Sequence, residues 1–338
     1  MIQIATALSL LTATFVARAD EGSATATPKS IEAASSKADP VVQIPPEGRL
    51  PRALVALSPS SPYALVVDKS QRTLTLWKWN GEHPSLVKAF PTDIGRNDGN
   101  KTSEGDRRTP EGVYFFQSVR DKDQLDFSLY GVRAYVTDYP NYFDRLEKKT
   151  GTGIWLHAIP DSQTLWRGSK GCVVVRNKVI EELSPYIQLR ATPMVVQSRV
   201  DYLTPEDWQA EREKLFSWIE KWRTAWEAKD LDKYMEYYDE AFRSNGMNKT
   251  KWRAYKTALT EKYSYIKVNL KEVQAFKHQG KFMIRFLQQY ESDQKQDFGE
   301  KILYIQDSTK GLGIVGEVWQ AKAQPSLASS NTGSPEKN

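Results

Sequence analysis

Ile154-Trp155-Leu156-His157, followed after a loop by Ser169-Lys170-Gly171-Cys172-Val173-Val174-Val175, is the stretch on which the reading of this chain turns. Ile154–His157 and Cys172–Val175 read as strands. In the first, a period of two puts Ile154 and Leu156 on one face and Trp155 and His157 on the other. Working outward, Tyr63-Ala-Leu-Val-Val-Asp68 is a short apolar run, and Thr73–Trp79 alternates up to Asn80-Gly81, a strong hairpin signal. Val113–Phe116 and Pro193–Gln197 are further strand candidates, and Asn177 is placed to cap one short helix through Leu183. Many short strands separated by turns predict a mostly β domain over residues 51–200.

From Thr204 the pattern changes. Thr204-Pro205-Glu206-Asp207 reads as a helix N-cap, a proline at the first helical position and acids in the first turn. Trp208, Leu215, Trp218, Ile219, Trp222 and Trp226 recur at helical spacing, a stripe expected to be core. Further helices are predicted over Leu231–Phe242 and Lys249–Tyr263. Four strands are predicted near Ile266–Phe276, Lys281–Glu291, Phe298–Ile305 and Gly313–Trp319. Helices followed by an antiparallel sheet make an α+β domain, expected over 201–320.

The chain has 338 residues, which accommodates about two domains. Residues 1–19 read as a secretory signal: an apolar run ends at Ala17-Arg18-Ala19, a small-x-small cleavage pattern, although no Lys or Arg precedes it. Residues 20–50, rich in Ala, Ser, Thr and Pro, are expected to be a flexible linker, and 321–338 a disordered tail. No segment is long and apolar enough to give a stable membrane span. The net charge of +5 is mild and dispersed, and export makes nucleic acid an unsuitable partner. No cluster has zinc-like spacing and no glycine-rich phosphate loop precedes a helix, so neither metal nor cofactor is expected.

Cys172 is the only cysteine, so an intramolecular disulfide is excluded. Two readings remain, a small buried hydrophobe or a reactive thiol. Of the three histidines, His83 and His278 fall at apparent hairpin tips and only His157 lies in a strand. A thiol attacks as thiolate, and a neighbouring imidazole either takes its proton or pairs with it as a cation. Gly171 allows close backbone approach, the amides of Gly171 and Cys172 are candidate oxyanion donors, and Ser169 is placed either to hold the loop or to orient the base. On spacing alone, a packed cysteine beside a satisfied core histidine fits equally well.

His157 … Ser169-Lys170-Gly171-Cys172-Val173 resembles the signature of the YkuD-type L,D-transpeptidase catalytic domain, a histidine followed by Ser/Thr-x-Gly-Cys. Thr109-Pro110-Glu111-Gly112 is similar to a turn of that family. Asp138-Tyr139-Pro140-Asn141 and Gly153–His157 resemble the branch that includes L,D-carboxypeptidases. The resemblance covers about Tyr63 to Gln197. The second domain resembles a SnoaL-like cone of the nuclear-transport-factor type, on Trp222, Trp226, Asp230, Tyr234, Tyr238 and Phe242 and on the strands at Phe286–Tyr290 and Gly299–Tyr304. Together the resemblances imply a mostly β YkuD-type catalytic domain plus a C-terminal α+β cone (SnoaL-like) domain, the arrangement of cell-shape L,D-carboxypeptidases.

What the resemblance implies is a periplasmic enzyme acting on peptidoglycan stem peptides through a thioester on Cys172, with His157 as base. Trimming of tetrapeptide to tripeptide ranks above crosslinking or attachment of envelope proteins. A non-catalytic envelope-binding protein is the competing class. The cone is a candidate site for a homodimer or a protein partner. The chain departs from the family pattern at Lys170, Val174 and Ala158, where many members have His, Arg and Gly. The missing arginine leaves Arg176, Arg107 and Lys170, with Lys101 and Arg108, as candidates to bind a substrate carboxylate.

Overall fold

A computed structural model describes residues 38–323; the expected signal, the linker through residue 37 and the tail from residue 324 lie outside the described residues. β1 (Leu50–Pro51) and β2 (Leu54–Ala56) precede β3 (Tyr63–Asp68), β4 (Thr73–Trp79) and β5 (Pro84–Pro91). Then come β6 (Gly112–Asp121), α1 (Phe127–Tyr130), β7 (Arg133–Thr137), α2 (Tyr142–Leu146), β8 (Trp155–Ile159), β9 (Val173–Arg176), α3 (Asn177–Leu183) and β10 (Pro193–Gln197). Eight of these strands form one sheet in the order β5-β4-β3-β10-β6-β7-β8-β9. Met194, Val195 and Val196 are fully buried, so β10 lies inside the sheet with both faces covered. β8 and β9 run parallel at one edge, with His157 opposite Val174. This edge carries the site.

β11 (Tyr202–Leu203) pairs with β1, and α4 (Pro205–Glu227) follows. Thr204 accepts the Asp207 amide at 3.1 Å, which caps α4 as its sequence predicts. Trp208, Leu215, Ile219, Trp222 and Trp226 are buried, and the stripe is core. The rest is α5 (Leu231–Glu236), β12 (Tyr238–Ser244), β13 (Met247–Asn248), α6 (Lys249–Lys262), β14 (Ile266–His278), β15 (Lys281–Ser292), β16 (Gln296–Ser308) and β17 (Gly311–Ala321). Their sheet has the order β13-β12-β17-β16-β15-β14-β2. The mostly β architecture with a second, α+β unit is therefore as expected.

Several local expectations change. The helix predicted through Phe242 ends at Glu236, and Tyr238–Ser244 is a strand beside β17. Tyr238, Phe242 and Ser244 are separated by even numbers of residues, so they fall on one face of a strand, while the four-residue step from Tyr238 to Phe242 also fits a helix. Asn177 does not cap α3; it is its first residue, and its Oδ1 accepts the Val132 amide at 2.9 Å. His278 does sit at a hairpin end, but it is only 7% exposed.

The two sheets meet over a shared core of Leu54, Trp77, Phe115, Trp208, Phe276, Met283 and Tyr304. Tyr142 of α2 stacks on Tyr304 with centroids 4.4 Å apart, and its hydroxyl donates to the Val315 carbonyl at 2.7 Å. Gly316 leaves the room for this ring: a Cβ there would lie 2.1 Å from Tyr142. Gly316→Ala is predicted to destabilise the fold by about 1–3 kcal/mol by forcing the ring out. Denaturant unfolding measures this, and a change near zero would show that the contact is not needed.

Candidate active site

The Ser169–Cys172 turn is built almost entirely from backbone close approaches. Gly171 has φ 132°, a conformation open mainly to glycine, and a Cβ there would lie 2.7 Å from the Arg108 carbonyl. Ser169 braces the turn from within. Its Oγ donates to the Cys172 carbonyl at 2.8 Å and accepts the Gly171 amide at 3.0 Å. Of the two roles read for Ser169, these bonds are those of a residue that holds the loop rather than one that orients the base. The Gly171 amide, read from the sequence as an oxyanion donor, is taken by Ser169 instead.

Neighbouring loops sew the turn in place. Asp93 and Val174 exchange backbone hydrogen bonds at 2.7 and 2.9 Å, and the Arg96 amide donates to the Ser169 carbonyl at 3.0 Å. The Asp93 carboxylate accepts the Gly168 amide at 2.9 Å and pairs with Arg72 at 2.9 Å. Thr109, buried in the Thr109-Pro110-Glu111-Gly112 turn, accepts the Gly95 amide at 2.7 Å. Behind it Lys69 donates to the Gly99 and Thr109 carbonyls at 2.6 and 2.8 Å and to Glu111 at 2.8 Å, a buried, fully used ammonium.

Cys172 immediately precedes β9, and carrying that strand's alternation back one residue puts it on the His157 side of the β8–β9 edge. His157 is opposite Val174, and Cys172 is two residues before Val174, so the two side chains share a face at diagonal spacing. His157 is 6% exposed, and its Nδ1 bonds the Ala158 carbonyl at 2.8 Å. A carbonyl accepts only, so Nδ1 carries the hydrogen and Nε2 is left as the basic nitrogen. Burial pushes the imidazole down to about 4 despite that bond and the nearby Asp93 carboxylate. Tyr130 packs edge-on against His157, and both Tyr130 and Trp155 form an aromatic wall, with ring centroids 5.1 Å apart in each contact.

Cys172 is half-covered as a residue, but its sulfur sits deep enough that burial pushes the thiol up to about 11. The Trp155 amide and the charge of Lys101 oppose that rise. At rest the thiol donates to the Gly153 carbonyl at 3.5 Å. With the imidazole near 4 and the thiol near 11, the resting pair at neutral pH is neutral thiol and neutral imidazole. Of the two roles open to the imidazole, the structure therefore favours proton acceptor during attack over a standing ion pair.

The basic candidates separate. Arg176 points its guanidinium at Asp39, with Nε and a terminal nitrogen 2.6 and 2.8 Å from the carboxylate oxygens, and it also donates to the Asp161 carbonyl at 2.6 Å. Its fork is used within the protein, which argues against a carboxylate-binding role. The same contact shows that the segment read as a flexible linker is held in its last part, from residue 38. Lys101 is 3% exposed and bound to Asp106 at 2.9 Å; it acts on Cys172 through its charge. Arg107 is exposed on the neighbouring loop, and Lys170 is exposed within the turn itself. Arg108 has its carbonyl against Gly171 and its buried Nε without a partner. Asp93, Tyr130 and Lys69 were not foreseen; the Asp126 cap on the Ser128 amide is the one local signal pointing to α1 and hence to Tyr130.

The second domain has a cavity of about 210 Å³ lined by Trp226, Trp252, Lys256, Gln288, Lys301 and Trp319, among others. The Lys256 ammonium lies 4.2 Å from the Trp226 ring centre and 4.7 Å from that of Trp252. Burial, with Lys301 nearby, pushes it down to about 7. Lys301 itself pairs with Glu317.

Residues 62–196 match the L,D-transpeptidase catalytic domain (YkuD), and residues 214–318 match the Cds6 C-terminal NTF2-like domain. Among solved structures, Bd1075 of Bdellovibrio bacteriovorus is 42% identical, with a TM-score of 0.76 over 82% of this chain and 99% of that one. The helical cell shape determining protein Pgp2 of Campylobacter jejuni is 23% identical, with a TM-score of 0.64 over 80% of this chain and 95% of that one. No curated protein matches the chain by sequence. The two matches and the likeness over the whole described chain place it: the chain belongs to the L,D-transpeptidase (YkuD) family, in the form that carries a C-terminal NTF2-like domain.

Proposed function

We propose that the protein is a periplasmic, cysteine-dependent L,D-carboxypeptidase that trims peptidoglycan tetrapeptide stems to tripeptides. The observation that carries this reading is the placement of Cys172 and the free Nε2 of His157 on one face of a buried strand edge, with the turn beneath them braced on every side. The two-domain plan supports a role in cell shape, since Pgp2 is named for that role. The same first half-reaction serves an L,D-transpeptidase, and only the group that accepts the acyl chain differs.

The chemistry follows from the resting state. The thiol swings from the Gly153 carbonyl toward His157, whose Nε2 takes the proton as sulfur attacks the carbonyl at the L-centre of diaminopimelate. The Cys172 amide faces the developing oxyanion, in place of the Gly171 amide held by Ser169. Trp155's amide and the Lys101 charge stabilise sulfur while it is anionic. The C–N bond to D-alanine breaks, the leaving amine takes the proton from His157, and a thioester remains. Water, deprotonated by the same Nε2, then adds to the thioester, and the thiol leaves with its proton restored. The cone cavity, with its aromatic-caged Lys256, gives the second domain a place to hold an anionic envelope group while the stem enters the site.

Two outcomes check the mechanism. Incubation with disaccharide tetrapeptide is predicted to release one D-alanine per stem, leave tripeptide and form no dimer, and Cys172→Ala is predicted to abolish this while remaining folded. A crosslinked dimer would instead favour the transferase, and an unchanged substrate would contradict both readings.

Alkylation of Cys172 by iodoacetamide tests the protonation state. Below the thiol's titration near 11, the thiolate fraction grows about tenfold per pH unit, so the rate is predicted to climb steadily from pH 6 to 9. His157, titrating near 4, is already neutral across that range and adds no step. A rate that is high and flat from about pH 5 would show a standing thiolate–imidazolium pair instead.

A further inference from the structure

We propose that Asp39, contributed by the segment ahead of the catalytic sheet, is a positioning residue for the reaction: it clasps the loop that joins His157 to Cys172. The inference rests on the reading of Cys172 as nucleophile. The loop between β8 and β9 has no regular structure, so its peptide groups need partners from elsewhere. Leu165, fully buried at its centre, receives charged partners on both sides of its backbone. Its amide donates to Asp39 Oδ1 at 2.9 Å, and its carbonyl accepts Arg72 at 2.6 Å.

Asp39 does a second job at the same time. Its two oxygens take Nε and a terminal nitrogen of Arg176, the bidentate geometry in which a guanidinium is held most rigidly. Arg176 closes β9, the strand that begins after Cys172, and its remaining nitrogen holds the Asp161 carbonyl in the first part of the loop. One carboxylate therefore ties the start, the middle and the far end of the nucleophile segment together. Arg72 extends the tie to Asp93, and Asp93 holds the Gly168 amide next to Ser169. The pair is not an exposed ion pair: the side chains of Arg176 and Asp39 are 16% and 25% exposed. Burial acts to raise the Asp39 carboxyl, but the Arg176 and Leu165 hydrogen bonds outweigh it and hold the group below its usual range.

A residue acting this way alters the rate of the chemical step, because a displaced nucleophile loses reaction geometry while the substrate groove stays intact. The test uses the whole chain with disaccharide tetrapeptide as substrate. Asp39→Ala is expected to lower kcat by at least about tenfold with KM within about twofold, while the protein stays folded at the assay temperature with a lowered thermal transition. Added formate is expected to restore part of that loss by occupying the vacated carboxylate position, and Asp39→Glu to retain most of the activity. Arg176→Ala is expected to give a similar loss, with little further loss in the double variant, since the two act as one unit. An unchanged kcat in Asp39→Ala, or a loss that tracks unfolding and ignores formate, would overturn the proposal. A rise in kcat would overturn it too, by making the segment a restraint on Arg176 rather than a support. If the unaltered protein releases no D-alanine, the reading of the site has failed, and the iodoacetamide rate at Cys172 decides the clasp: a rate changed severalfold by Asp39→Ala supports it, and an unchanged rate overturns it.

Discussion

The close approach of Gly171 to the Arg108 carbonyl is the constraint from which the site follows. At φ 132°, with 2.7 Å between that carbonyl and the position a Cβ would take, the chain can make this turn only without a side chain. Everything around the turn is arranged to keep the two backbones pressed together. Thr109 fastens Gly95, Lys69 gathers the carbonyls of Gly99 and Thr109, and Arg96 reaches the Ser169 carbonyl. Cys172 inherits its direction from this packing. Its thiol donates a long hydrogen bond to the Gly153 carbonyl, a weak hold that lets it turn toward a base.

The same burial that fixes the geometry sets the protonation states. Removing imidazole and thiol from water favours the neutral form of each, so the pair rests uncharged, and in the proposed mechanism the proton moves only as sulfur attacks. The Lys101 charge and the Trp155 amide matter for this reason. They contribute little while the sulfur is neutral and most when it becomes an anion.

Much of this was legible in the sequence because it is local. The alternation in Ile154–His157, the Thr204-Pro205 cap, the tryptophan stripe and the glycine before the cysteine each report on neighbours in the chain. The reading failed where distant residues decide. Asn177 looks like a cap but spends its side chain on Val132, and Tyr238 and Phe242 fit two periodicities until β17 offers a strand partner. Arg176 looks like a free strand-end cation until Asp39, far upstream, arrives beside it. His278 reads as a hairpin tip, and only the fold shows it buried in a pocket it shares with Glu111 and Asp144 of the first domain. Such pairings carry no local pattern, because both partners are ordinary polar residues.

The central claim is that Cys172 carries the acyl group. The most direct measurement is the intact mass of the protein, with peptide mapping, after rapid acid quench of a reaction with disaccharide tetrapeptide. The account predicts a fraction of Cys172 bearing the stem acyl group with one D-alanine lost, absent from His157→Ala. Substrate turnover with Cys172 unmodified at every quench time, and undiminished in Cys172→Ala, would contradict it.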